Sequence, residues 1–131
     1  MGTEQELRKQ VDQFILDEID SVPQLEALLL IWNTRPKRWS IEEMGRSLYV
    51  KPDAAERILQ DLANRSFVSV EQQSAAFYYE SRSAERDELL SSVDRIYRQE
   101  IVRISTMIHA KASPAIRDFA RAFRFTKDRD Q

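Results

Sequence analysis

Three side chains near the middle of the chain have the chemistry to read a nucleic acid. Arg57 and Gln60 carry the donors and acceptors that match guanine and adenine edges in a major groove, and Lys51 offers a compact positive charge to a phosphate. A second basic group, Arg35, Lys37 and Arg38, lies just ahead of a helix start, where positive charge and free backbone N–H groups together suit a phosphate. Each group also has a plainer reading. Arg57 is four residues from both Asp53 and Asp61, the spacing of charge pairs along a solvated helix face. The 35–38 segment reads equally as a wet basic loop whose Trp39 packs on the domain. A third group, Arg117, Arg121 and Arg124, recurs at i, i+4, i+7 opposite Ile116, Phe119 and Phe123. That pattern suits a nucleic-acid contact, an anionic membrane surface or a partner-docking helix through Arg117–Phe123. Its plain reading is phenylalanines packed on the body with arginines on the wet side.

Most other chemistry is excluded. The 131 residues contain no cysteine, so there is neither a disulfide framework nor a thiolate metal site. His109 stands alone, without the ligand cluster or base partner that metal binding or acid–base catalysis needs, and its place suits a helix C-terminus. Gly2 and Gly45 are the only glycines, too few for a phosphate-cradling loop. The expectation is no enzyme activity, no metal and no cofactor. The longest apolar run, Ala27–Trp32, is far shorter than the ~18 residues of a membrane span and reads as a core helix segment. With no signal peptide ahead of the first charges, the expected location is the cytoplasm.

A formal net charge of −2 argues against general attraction to nucleic acid, but the charge is unevenly spread. Residues 1–33 set seven acids against Arg8 and Lys9, giving −5; residues 34–66 set seven bases against five acids, giving +2. From Arg95 to Arg129 nine bases face Glu100, Asp118 and Asp128, giving +6.

Hydrophobic periodicity supplies the elements that hold these groups. Leu7, Val11, Phe14, Ile15 and Ile19 predict an amphipathic helix over 4–19. Ser21 and Pro23 open a second helix with Leu25, Leu28, Leu29, Ile31 and Trp32 as core, which ends near Asn33 because Pro36 disfavours helix at Arg35. Ser40 and Glu43 form a capping box for a third helix that faces inward with Ile41, Met44 and Leu48. After a break at Tyr49-Val50, Pro52 starts a fourth helix, with Ala55, Ile58, Leu59 and Leu62 as its buried stripe. Two short helices joined by a tight turn make a helix-turn-helix. Phe67–Val70 and Ala76–Glu80 read as a hairpin. Ser83 then caps one long helix over about 84–110, whose Leu90, Val93, Tyr97, Ile101, Ile104 and Ile108 recur close to a heptad seam. At 1.5 Å per residue it would be roughly 40 Å long, which favours pairing with a second copy over folding back on the first two helices. Ser113-Pro114 would open a last helix.

From Ser40 to Leu62 the chain resembles the helix-turn-helix of bacterial winged-helix transcriptional regulators. Ile41, Met44, Leu48, Val50, Pro52, Ala55, Ile58, Leu59 and Leu62 carry the resemblance, and Asn64–Val70 looks like the exit from recognition helix into wing. It implies a mainly α fold with a small β-hairpin wing, flanked by an N-terminal helix (1–20) and a C-terminal helical dimerisation or interaction region (83–131) around a winged domain (21–82). It implies a homodimer regulating transcription through sequence-specific contact with double-stranded DNA. The face toward the bases would be Lys51, Asp53, Ala54, Glu56, Arg57 and Gln60. Two departures stand out. Tyr49 holds a turn position often filled by glycine, so it must accept an unusual backbone angle or a different turn, and Gly45 stands where a small alanine is usual. The face is also charge-neutral, and the wing tip Glu71–Ser74 has no base. The alternative is a winged-helix module that binds protein and not DNA.

Overall fold

The computed structural model describes residues 2–112. Its elements are α1 (Gly2–Glu18), α2 (Val22–Asn33), α3 (Ile41–Leu48), α4 (Pro52–Asn64), β1 (Ser69–Glu71), β2 (Ala76–Tyr78), α5 (Ala84–Gln99) and α6 (Ile101–Ala112). The proposed last helix, with Arg117, Arg121 and Arg124, lies outside the described residues. Side-chain caps fix three of the helix starts. Ser21 accepts from the Gln24 backbone N–H, and Ser83 accepts from that of Arg86. Ser40 and Glu43 complete a reciprocal box at 3.1 Å each way, so the orphan donors of α3 are satisfied within the chain.

The turn between α3 and α4 is closed by backbone bonds from Val50 N–H to Gly45 O (3.0 Å) and from Tyr49 N–H to Arg46 O (3.4 Å). These are the paired bonds of a Schellman ending, which places its central residue in the left-handed region. Tyr49 sits there, at φ 58° and ψ 43°. A side chain in that conformation costs about 1 kcal/mol or more relative to glycine. Space is tight a turn earlier, at Gly45. A Cβ on Gly45 would lie 3.1 Å from the Val50 carbonyl oxygen and 3.6 Å from the Ala55 Cβ, at the crossing of α3 and α4.

The hairpin is antiparallel, with Ser69 opposite Tyr78, Val70 opposite Phe77 and Glu71 opposite Ala76. Its strands are shorter than the expected 67–70 and 76–80. Ser66 takes a positive φ of 65°, and Phe67 and Val68 are buried ahead of the strand. Trp39 makes an isolated bridge to Phe77, with backbone bonds of 2.7 and 2.8 Å, and so ties the wing to the segment before α3.

The long helix expected over 84–110 is two helices. Glu100 leaves the helical region at φ −132°, ψ 47°, and the chain doubles back there. The first turn of α5 lies beside the end of α1, where Asp17, Glu18, Ser83 and Glu85 share one groove, and Arg95 near its other end pairs with Glu4. α6 then follows α1 in the same sense, through Arg8–Glu100, Arg103–Asp12 and a bond of 2.6 Å from Lys111 Nζ to Ile19 O. The length argument for pairing two copies fails with the break. Leu90, Val93, Tyr97, Ile104 and Ile108 are buried in the chain's own core, and only Ile101 of the expected interface stays exposed, at 48%. One continuous core runs from Val11 to Ile108 through all three stretches distinguished in the sequence. Within it, Ala55, Leu59 and Leu62 are fully buried, while Ile58 is only partly so.

Because Ile104 packs inside one chain, Ile104→Ala is expected to lower the unfolding free energy by about 2–5 kcal/mol. Chemical denaturation should give the same loss at low and high protein concentration. A loss that disappears on dilution would return the seam to an interface.

Candidate nucleic-acid interface

α4 turns Lys51, Asp53, Glu56, Arg57 and Gln60 outward as one exposed strip, because Ala55, Leu59 and Leu62 anchor the opposite face. The i,i+4 partners expected for Arg57 are not engaged with it. Asp61 accepts from Arg65 Nε instead, in an ion pair of 3.2 Å, and receives a short bond from Gln24, the one buried polar side chain among the described residues. Arg65 in turn spans Asp20 at 2.7 Å and the Glu18 carbonyl, and so caps the end of α1. With Asp61 drawn into that network, the Arg57 guanidinium has no carboxylate partner among the described residues.

The 35–38 loop is arranged differently. Arg35 stacks 3.5 Å from the Trp32 ring centroid, and Trp32 meets Tyr79 edge-on at 5.0 Å. Lys37 pairs with Glu43 at 3.4 Å and lies 4.1 Å over Trp39. Arg38 pairs with Glu71 at 3.2 Å and lies 4.0 Å over Tyr78. The backbone bond from Ser40 and then the bond from Lys37 hold the Glu43 carboxyl below its usual range. The loop expected to cradle a phosphate thus has an internal partner for every base, beside a helix start that is already capped.

The described bases of the C-terminal half from Arg95 onward are likewise spent on the fold. Arg95 pairs with Glu4, Arg98 with Asp94, Arg103 with Asp12 and Glu100, and Lys111 with Asp20. Arg95 and Arg103 answer acids of α1, Glu4 and Asp12. Three bases of the helix-turn-helix are absent from these pairs: Arg46, in the last turn of α3, with Lys51 and Arg57. Among the described residues they make no ion pair, and all three are exposed. Lys9, Arg35 and Arg82 are also exposed without an ion pair among the described residues, but Lys9 is on α1, Arg35 stacks on Trp32 and Arg82 donates to Ser69. Arg46 is the member of this group that sequence reasoning passed over. Its position on the polar face of α3, five residues before Lys51, was the available signal.

The wing is braced from behind. Tyr79 and Ser81, just after β2, both donate to the Asp87 carboxylate in the first turn of α5, the serine at 2.6 Å. Those two bonds lower the Asp87 pKa below the ordinary carboxylate range, and burial raises that of the Tyr79 phenol. Arg82 donates to Ser69 at 3.3 Å, which places a base at the root of a wing whose tip has none.

Helix, helix, helix-turn-helix, hairpin and two closing helices define a winged helix-turn-helix. A solved structure shares that fold. The MarR family protein Rv2887 of Mycobacterium tuberculosis superposes with a TM-score of 0.53 at 18% identity, over 95% of this chain and 88% of that one. A mutant of MepR from S. aureus gives 0.46 at 15% identity, over 98% and 91%. No family model matches the chain, and no curated protein does. The fold is that of a winged helix-turn-helix. The similarity of fold therefore extends well beyond Ser40 to Leu62, over 95% of the chain. No group of metal-ligating side chains occurs among the described residues, and no described helix is long and apolar enough to cross a membrane.

The Asp87 brace carries a pH signature. A carboxyl with a lowered folded-state pKa stabilises fully above its ordinary titration range and loses that contribution as pH falls through the folded value. Thermal melts should therefore decline on acidification. Asp87→Asn should flatten part of that acid limb while lowering the melting temperature at neutral pH; an unchanged acid limb would remove Asp87 from the account.

Proposed function

We propose that this protein is a sequence-specific DNA-binding regulator of transcription, cytoplasmic and dimeric, that docks α4 in the major groove of double-stranded DNA. The observation that carries this reading is the set of bases Arg46, Lys51 and Arg57 on one helix-turn-helix, exposed and without an ion pair among the described residues. Among the described residues most other cations are paired internally, and three exposed ones without an ion pair on one motif form a surface suited to an external anion. Arg57 and Gln60 are the base-reading side chains, and Lys51 and Arg46 are phosphate contacts. Arg38, beside the wing, joins them only by exchanging Glu71 for a phosphate; Lys37 must likewise leave Glu43, and Arg35 its stack on Trp32. A regulator that reads two half-sites needs a second copy. The buried seam is not available for that, whereas α6 leaves Ile101 and Val102 exposed, at 48% and 75%.

Asp53 and Glu56 lie on the same strip and oppose phosphates, which favours a second reading: a winged-helix module that docks a protein partner. Salt and substitution separate the two. On the DNA reading, duplex affinity falls steeply with added salt. Arg57→Ala costs about 10-fold or more and relaxes the preferred sequence at one position. Absence of binding to a random duplex pool at low salt would sink the DNA reading. Light scattering tests the pairing of copies: Val102→Asp should convert a dimer to a monomer of unchanged melting temperature, and an unaffected dimer would move the interface away from α6.

A further inference from the structure

Tyr49 is 94% exposed, against 42%, 48% and 75% for the other exposed large hydrophobic residues, Leu16, Ile101 and Val102. It occupies the left-handed position of the α3–α4 turn, which glycine would take without strain. Its ring packs on nothing that could repay that conformation, and its hydroxyl has no hydrogen-bond partner among the described residues. Neither the turn nor the core accounts for a tyrosine here. Strain kept at an exposed position is characteristic of residues that serve a ligand.

The surroundings indicate which ligand. Arg46 lies three residues before Tyr49 and Lys51 two after, both exposed and both without an ion-pair partner among the described residues. The adjacent apolar side chains, Leu48 and Val50, are partly buried against the core, so the tyrosine does not extend a hydrophobic patch of the kind a protein partner would cover. An exposed O–H donor that falls along the chain between two exposed cations without ion pairs among the described residues, just ahead of the outward strip of α4, matches the sugar–phosphate backbone beside a groove.

We propose that Tyr49 is a duplex-backbone contact, its hydroxyl donating a hydrogen bond to a phosphate oxygen next to the phosphates met by Arg46 and Lys51. The inference rests on the DNA-binding reading above and adds to it a residue that fixes register without reading sequence. Because the phenol is neutral, its contact releases no counterion, whereas that of Lys51 does.

The test uses the full chain and the duplexes it retains from a random pool at low salt. Tyr49→Phe should weaken binding about 5–10-fold, equally on every retained sequence, with the slope of log affinity against log salt unchanged. Lys51→Ala should reduce that slope by about one. Tyr49→Gly should bind at least as weakly as Tyr49→Phe and yet melt about 3–6 °C higher, because the turn strain is relieved. Equal affinities for Tyr49→Phe and the wild type would overturn the contact and leave the DNA reading standing; this is also the outcome if the tyrosine docks a protein instead. A Tyr49→Gly chain that melts higher with undiminished affinity overturns it too. A wild-type chain that retains no duplex overturns both.

Discussion

α1 lies against both closing helices, and much of the molecule depends on how it is held there. Its inner face places Val11, Phe14, Ile15 and Ile19 in the core, while its acidic outer residues meet a succession of bases on α5 and α6. At its C-terminus, Lys111 donates to the carbonyls of Ile15 and Ile19, and Arg65 to that of Glu18, so cations from two other helices satisfy the helix end and answer its dipole. Arg65 belongs to α4's own C-cap. The same guanidinium that closes α1 also draws in Asp61 and sets where α4 ends.

This arrangement settles the electrostatics of the surface by subtraction. Exposed ion pairs contribute little each, roughly 0–1 kcal/mol, so their number says little about stability. Their consequence is which charges remain. A chain with a basic tail and a basic loop presents neither as a free anion site among its described residues. The loop is stacked and paired, Arg95, Arg98, Arg103 and Lys111 face carboxylates, and Arg86 lies over Phe67. What remains open on the helix-turn-helix is a small positive group that a count of residues by segment hides inside a neutral face.

The wing and the turn show two ways of positioning a surface element. The wing is over-determined: Trp39 bonds to Phe77 on one side, and Tyr79 and Ser81 clasp Asp87 on the other. The turn is closed by backbone bonds with Leu48 and Val50 packed against the core, and its other side chains divide the work. Gly45 gives room where α3 and α4 cross, and Tyr49 stands free in solvent.

Local sequence was enough to determine the helix-turn-helix. Its signals act within a few residues: the Ser40–Glu43 box, Pro52 in a first turn, and apolar spacing in α3 and α4. The unusual angle required of Tyr49 was readable for the same reason, since a Schellman ending imposes it on whichever residue is there. Periodicity also identified Leu90, Val93, Tyr97, Ile104 and Ile108 as buried, because a heptad-like seam must be covered by something. What covers it was decided only in three dimensions. The break at Glu100 has no helix-breaking residue to announce it; it exists where Arg8 and Arg103 converge on that carboxylate and α6 turns back along α1. Which bases are free was hidden likewise, because Arg38 finds Glu71, and Asp61 finds Arg65 and Gln24, through contacts that spacing along the chain does not encode. The motif is local and could be read directly, whereas its open face depends on pairings made elsewhere in the fold.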